Sequence, residues 1–274
     1  MPDFPLGHQP GQGFALNWAT AVAGHGTAHT KGNWVTVVAS TAYDVGGLLV
    51  QCIMPASVAN SSLCLFDIGI GAAASEVVIC PNIYVFGPGG VTHVFIPINV
   101  PAGTRIAARV QSTITSAATW VNVTGIRGGF WGPQGGGLIH SFGENLAAST
   151  GTVLNAGAAA NTYPALPMTE LVAATTKDIV AIMPVVSYNP ATTVADANFE
   201  YEIGVGASSS EVAVLRQGFR VELEGSSGSN CQYPQFWFPC SIPAGSRISA
   251  RVRSSVTGAA TRIAHMVLLG LVGN

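Results

Sequence analysis

Phe199, Tyr201, Ile203 and Val205 alternate with Asn198, Glu200, Glu202 and Gly204, a period of two that predicts a strand buried on one face. Cys64, Phe66, Ile68 and Ile70 share one face of Cys64–Ile70 in the same way, and Ile248, Ala250 and Val252 alternate with Arg247, Ser249, Arg251 and Arg253. Val35–Ala39, Gly47–Ile53, Val77–Ile79, Val91–Ile96 and Trp120–Ile126, with their later counterparts, also read as short strands between clusters of Gly, Pro, Asn and Ser. No segment carries a sustained i, i+3, i+4, i+7 apolar stripe, and only Glu144–Leu154 fits a turn of helix. The pattern predicts an all-β protein built from two tandem homologous antiparallel β-sandwich domains, jelly-roll-like in type.

The tandem reading rests on an internal repeat. Ile68–Val77 (IGIGAAASEV) returns as Ile203–Val212 (IGVGASSSEV), an offset of 135. Val100–Val110 (VPAGTRIAARV) returns as Ile242–Val252 (IPAGSRISARV), an offset of 142, so the second copy holds seven extra residues within Gly218–Phe238. A weaker match at offset 134 joins Val37–Thr41 and Asp44-Val45 to Leu171–Thr175 and Asp178-Ile179. Domain one is placed at 1–130, with a Gly-rich arm at 1–12, followed by a Gly/Pro linker at 131–137 and domain two at 138–274. In each Pro-Ala-Gly turn, Pro sets φ and Gly permits a positive φ before the next strand.

Composition narrows the function. Only 9% of residues are charged and 48% are hydrophobic, where an average soluble domain carries roughly 25% charged residues. This excludes a disordered chain. A formal net charge of −2 gives no electrostatic footprint for nucleic acid. The first residues, Met1–Gly7, lack the basic start and apolar run of a signal peptide, and no run of about 18 apolar residues suits a membrane span. Five cysteines (Cys52, Cys64, Cys80, Cys231, Cys240) show no Cys-x-x-Cys spacing and read as small buried hydrophobes of a reducing compartment, with pairing of Cys231 and Cys240 left open.

Chemistry is sparse. His25 and His29 stand four apart in a Gly/Thr-rich segment without the following Glu of a metalloprotease helix, and His93, His140 and His265 stand alone, so no metal is expected. No Gly-x-Ser-x-Gly elbow and no phosphate loop is present. The Gly-x-Gly pairs Gly69/Gly71 and Gly204/Gly206 lack the helix and acidic residue that a dinucleotide needs, so no cofactor is expected. Glu200/Glu202 and Glu222/Glu224 are the carboxylate pairs a glycosidase would require, yet their spacing equally describes the solvated face of an outer strand. Glu76 and Glu211 recur beside small-residue turns, which a side-chain bond to the turn would explain. Arg105, Arg109, Arg247, Arg251 and Arg253 concentrate five of the chain's eleven Lys and Arg on one pair of equivalent segments. Arginine suits bidentate docking on an acidic protein surface; pairing with nearby carboxylates such as Glu200 and Glu202 explains the same pattern. Trp131, Tyr233 and Trp237 are the aromatic side chains placed to contact a sugar or partner.

The Thr41, Tyr43, Asp44, Val45, Gly47, Leu48 turn, the Asp67–Val78 segment and Val100–Arg109 resemble structural proteins of tailed bacteriophage virions. The resemblance covers most of both domains. It implies a β-sandwich module of the head surface or tail, without a catalytic motif to transfer. The resulting expectation is a non-enzymatic virion protein, a capsid decoration (cement) protein bridging capsid subunits. A tail, baseplate or head-fibre component and a carbohydrate- or receptor-binding module are the alternatives. Expected partners are the major capsid protein or other virion proteins and further copies of the chain, with no nucleic acid and no membrane. The expected location is the virion, assembled in the host cytoplasm.

Overall fold

The computed structural model describes residues 13–15, 20–54, 62–87, 90–126, 139–188, 197–224, 228–232, 236–257 and 262–273. The arm at 1–12, the linker at 131–137, Trp131 and Tyr233 lie outside them, as do the side chains of residues 221–232, Cys231, Glu222 and Glu224 included.

Every regular element among the described residues is a strand. The first sheet comprises β1 (Gly13–Ala15), β2 (Thr20–Ala23), β4 (Gly47–Ile53), β7 (Val91–Ile96) and β9 (Ala118–Ile126), in the order β1-β9-β4-β7 with β2 also on β9. The second comprises β3 (Val35–Val38), β5 (Leu63–Ile70), β6 (Val77–Phe86) and β8 (Ile106–Ser112), in the order β3-β8-β5-β6. The third runs β11-β12-β20-β14-β18, from β11 (Glu144–Asn145), β12 (Thr150–Asn155), β14 (Ile179–Tyr188), β18 (Phe238–Ile242) and β20 (Ile263–Val272), with β10 (Ile139–Phe142) also on β20. The fourth runs β13-β19-β15-β16-β17, from β13 (Thr169–Val172), β15 (Ala197–Val205), β16 (Val212–Glu224), β17 (Gly228–Gln232) and β19 (Ile248–Ser254).

In the first half β2 lies beside β9 and β3 beside β8, and in the second β12 lies beside β20 and β13 beside β19, the strand order of a jelly roll. Strand β17 falls within Gly218–Phe238, the stretch that lengthens the spacing between the repeated sequence segments. Glu144–Leu154 is not helical: Glu144–Asn145 and Thr150–Asn155 are strands around a turn, since a strand partner on β20 satisfies the backbone that one helical turn would leave half unpaired. The Pro-Ala-Gly turns adopt the expected conformation, with Gly103 at φ 84° and Gly245 at φ 82°. Asp44 and Asp178 accept from the turn amides of Ala102 (2.8 Å) and Ala244 (2.7 Å).

Burial shows how the sheets stack. β9 alternates strictly between buried and half-buried positions, as a strand with one open face must, whereas β5 and β20 are buried almost end to end. β6 packs on β10, β14 and β20, so the second and third sheets form the middle of a four-layer stack and the first and fourth lie outside. The strand register makes the difference explicit. Gln51 pairs with Asn122 between β4 and β9 where Val185 pairs with Val267 between β14 and β20, and Leu49/Thr124 correspond to Met183/Leu269. Met183, Val185, Val267 and Leu269 are at most 1% exposed, each contributing about 1.5–3 kcal/mol by burial. The open face of the first sheet carries amides and hydroxyls at the same places.

Polar pairs fix the join. Tyr84 Oη accepts from Ser187 Oγ (2.9 Å) and Thr150 Oγ1 (3.3 Å), with His265 Nδ1 at 3.4 Å. Asn82 Nδ2 donates to Ser141 Oγ at 3.0 Å, and Gln111 Nε2 to Ser149 Oγ at 3.2 Å. Burial depresses the His265 pKa to about 4, so the ring is neutral in this contact at pH 7.

Candidate functional site

The arginines selected from the sequence divide into three environments. Arg105 and Arg247 stand just before β8 and β19 rather than on them. Each reaches back to the preceding hairpin: Arg105 Nη1 donates to Glu76 Oε1 and Arg247 Nη1 to Glu211 Oε1, both at 2.8 Å. Arg105 also bonds Thr36 Oγ1, and Arg247 bonds Glu170 Oε2 and the Met168 carbonyl. Burial alone would raise the pKa of Glu76 and Glu211, yet the arginine and the backbone amides of the turn outweigh it and hold both carboxyls below the usual range. These pairs brace a hairpin.

Arg109 faces the join between the halves. Its Nε donates to Asp67 Oδ2 at 2.8 Å while its guanidinium lies 4.5 Å from the Trp34 ring centroid. Lys31 donates to Asp67 Oδ1 (2.7 Å) and Asn82 Oδ1 (2.9 Å). Burial lowers the Lys31 pKa, an effect that Asp67 only partly offsets.

Arg251 and Arg253 lie on the outer face of the fourth sheet, and the structure adds Arg216 to them. The β15–β16 register sets Arg216 opposite Glu202, and the β15–β19 register sets Arg251 opposite Glu202 and Arg253 opposite Glu200. Glu202 accepts from Arg251 Nη2 (2.7 Å) on one oxygen and from Arg216 on the other. Arg253 Nη2 lies 2.9 Å from Glu200 Oε1, and Tyr163 Oη donates to the same oxygen at 2.6 Å. The Tyr163 ring sits 4.7, 4.9 and 5.5 Å from the guanidinium carbons of Arg251, Arg253 and Arg216. Glu202 is 1% exposed, so it is not on a solvated face as its alternation predicts; the two arginines beside it roof it over. Burial would raise the pKa of both glutamates, and hydrogen bonds from Tyr163 and the arginines reverse this, leaving both below the ordinary range. Three guanidinium groups against two carboxylates leave one net positive charge. Arg216 is missing from the sequence-based set because it falls outside the repeated blocks; its place opposite Glu202 becomes visible only through the strand register.

The remaining candidates scatter. Trp237 is half-buried, and its Nε1 donates to the Phe95 carbonyl at 2.7 Å, tying the segment before β18 to the edge of the first sheet. Cys52, Cys64, Cys80 and Cys240 carry free thiols, while the Cys231 side chain lies outside those described; burial pushes the Cys64 thiol up to about 12 and Cys240 to about 11. His25 and His29 lie in a loop, with His29 Nδ1 3.1 Å from Ser149 Oγ. No group of three or more His, Cys, Asp or Glu among the described residues is arranged to hold a metal ion. No helix among them is long and apolar enough to cross a membrane. A cavity of about 190 Å³ opens beside Arg251, between Asn155, Pro164, Met168 and Thr169.

No family model and no curated protein matches the chain. Among solved structures it is similar over 94% of its length to 95% of the STIV MCP, a viral major capsid protein, at 10% identity and a TM-score of 0.36. It is also similar, over 94% of its length and 92% of the other chain, to the N-terminal CBM22-1-CBM22-2 tandem domain of Paenibacillus barcinonensis Xyn10C, at 10% identity and a TM-score of 0.24. Likenesses this distant carry no functional argument.

Proposed function

We propose that the protein is a non-enzymatic structural component of a virion, and specifically a capsid-surface decoration protein that bridges neighbouring capsid subunits. The observation that carries this reading is the outer face of the fourth sheet, where Arg216, Arg251 and Arg253 surround Tyr163. Glu200, Glu202 and Tyr163 hold these guanidinium groups in place, so docking on an acidic protein surface orders few additional side chains. The resemblance of Asp67–Val78 and Val100–Arg109 to tailed-phage virion proteins supports a particle as the setting. A four-layer stack with a charged fraction of only 9% suits a rigid unit repeated on a lattice, where many weak contacts add.

A structural role also fits the carboxylates. Glycoside hydrolysis needs one carboxyl that holds a proton near neutral pH, whereas the arginines favour the ionised form of both Glu200 and Glu202. The partner is the major capsid protein or another virion protein, with further copies of the chain beside it, and neither nucleic acid nor a membrane takes part. The proposed location is the virion, assembled in the host cytoplasm.

The test is co-sedimentation of the purified protein with empty capsids of its host particle. A fixed copy number per capsid and a gain in capsid thermal stability are expected, both lost in an Arg216→Glu/Arg253→Glu double variant that still folds. Failure of the wild type to co-sediment, or retention of binding by the double variant, overturns the proposal.

A further inference from the structure

The five strands of the first sheet contain no Asp, Glu, Lys or Arg at all. An open sheet face without one charge is unusual for a surface that meets water, and its polar groups are concentrated in one row. Register places His93, Gln51 and Asn122 side by side across β7, β4 and β9. Asn122 Nδ2 donates to Gln51 Oε1 at 2.7 Å, and Gln51 Nε2 lies 3.0 Å from His93 Nε2. The row is therefore a hydrogen-bonded chain of two carboxamides and an imidazole, held in a set orientation.

Mainly apolar rows flank it on both sides. Val91, Ile53 and Trp120 form one, and Phe95, Leu49 and Thr124 the other. His93, Leu49 and Val91 are exposed, and Trp120 and Phe95 half-buried. The Phe95 ring lies across β4 on the glycine at its start: a Cβ added to Gly47 would come within 2.6 Å of the ring. Strand spacings separate Trp120 from Phe95 by about 16 Å along the diagonal, with the amide row between them. Trp237, bonded to the Phe95 carbonyl, continues the aromatic edge.

We infer that this face is a binding site for a neutral oligosaccharide. Aromatic faces suit the C–H surfaces of sugar rings, fixed carboxamides and an imidazole both donate and accept as paired hydroxyls do, and the absence of charge selects an uncharged ligand. A protein partner is disfavoured by the chain itself. Where an equivalent face is covered by protein, in the third sheet, Val185 and Val267 stand in place of Gln51 and Asn122. A dry partner would strip water from the carboxamides without replacing it, whereas sugar hydroxyls replace that water. The site is far from the arginine face and independent of the virion reading.

The experiment titrates the full chain calorimetrically with linear hexasaccharides of glucose, xylose, mannose and N-acetylglucosamine, with sialylated and sulfated oligosaccharides as charged controls. Binding to at least one neutral series is expected, weakened at least tenfold by Trp120→Ala and by Gln51→Ala, and unchanged by Arg216→Ala on the fourth sheet. Matching thermal melts of the variants separate loss of binding from loss of fold. The inference is overturned if no neutral hexasaccharide binds, if binding survives both substitutions, or if only the charged controls bind. Concentration-dependent dimers in sedimentation that Trp120→Ala abolishes would overturn it in favour of a protein partner. Capsid co-sedimentation reads a different face, so either proposal can fail alone.

Discussion

Tyr201 occupies in the fourth sheet the place that Phe66 occupies in the second: each is fully buried and each stands opposite a valine, Val252 on β19 and Val110 on β8. The two rings differ by one hydroxyl, and that of Tyr201 has no hydrogen-bond partner among the described residues. A buried donor without an acceptor costs about 1–3 kcal/mol. Tyr201→Phe is therefore expected to stabilise the protein by about 1 kcal/mol, raising Tm by about 2–4 °C for a chain of this size. A melting curve shifted downwards would show that the hydroxyl is satisfied.

The arginines are expected to separate sharply in a stability measurement. Glu211 has no exposed side-chain surface, and Arg247 is its cationic partner. Arg247→Ala leaves Glu211 only the backbone amides of its turn, Met168 N among them, and is expected to lower the denaturation midpoint clearly. Arg216 is 57% exposed and shares Glu202 with Arg251, so Arg216→Ala is expected to shift the midpoint far less. Denaturant titration of the two variants compares them directly, and equal losses would contradict the division into bracing and surface arginines.

Much of this architecture is legible in the chain. Gly47–Ile53 and Val91–Ile96 are strands at the predicted residues, and the alternation in Ala197–Val205 follows directly from one covered face. The stacking leaves its own mark in the sequence. Ile179–Val186 and Met266–Leu271 are apolar runs rather than alternations, which is how a strand covered on both sides reads. The roles of the arginines are only partly legible in the sequence, for a physical reason. Arg105 and Arg109 sit four residues apart in one motif, yet one braces a hairpin and the other faces the neighbouring sandwich, a distinction set by tertiary packing. Gln51, His93 and Asn122 lie up to 71 positions apart, and only register makes them one row.

Acid is expected to loosen the join between the halves. Burial lowers the His265 pKa from 6.5 to about 4, so the unfolded chain binds the proton more readily than the folded one. Stability from this group is fully present above pH 6.5 and is lost as pH falls towards 4, on the order of 2 to 3 kcal/mol. Glu200 and Glu202, with lowered values, act in the same direction only below their ordinary range near 4.5. The interval from pH 6.5 to 4.5 therefore isolates the histidine, and His265→Gln is expected to flatten the stability profile there. An unchanged slope in that variant would assign the acid sensitivity elsewhere.

Exchanging residues between equivalent faces tests the stacking directly. Val185→Gln with Val267→Asn places the first sheet's amides where the third sheet is dry, and is expected to cost about 3 kcal/mol or more because buried carboxamides lack partners. The reciprocal pair, Gln51→Val with Asn122→Val, changes an open face and is expected to leave unfolding stability within about 1 kcal/mol. It enlarges an exposed apolar patch that already includes Leu49, Ile53 and Val91, so self-association is the expected consequence. Denaturant midpoints and sedimentation of the two double variants read these outcomes together. Tolerance of the buried exchange would mean that the second and third sheets do not pack as the burial pattern requires.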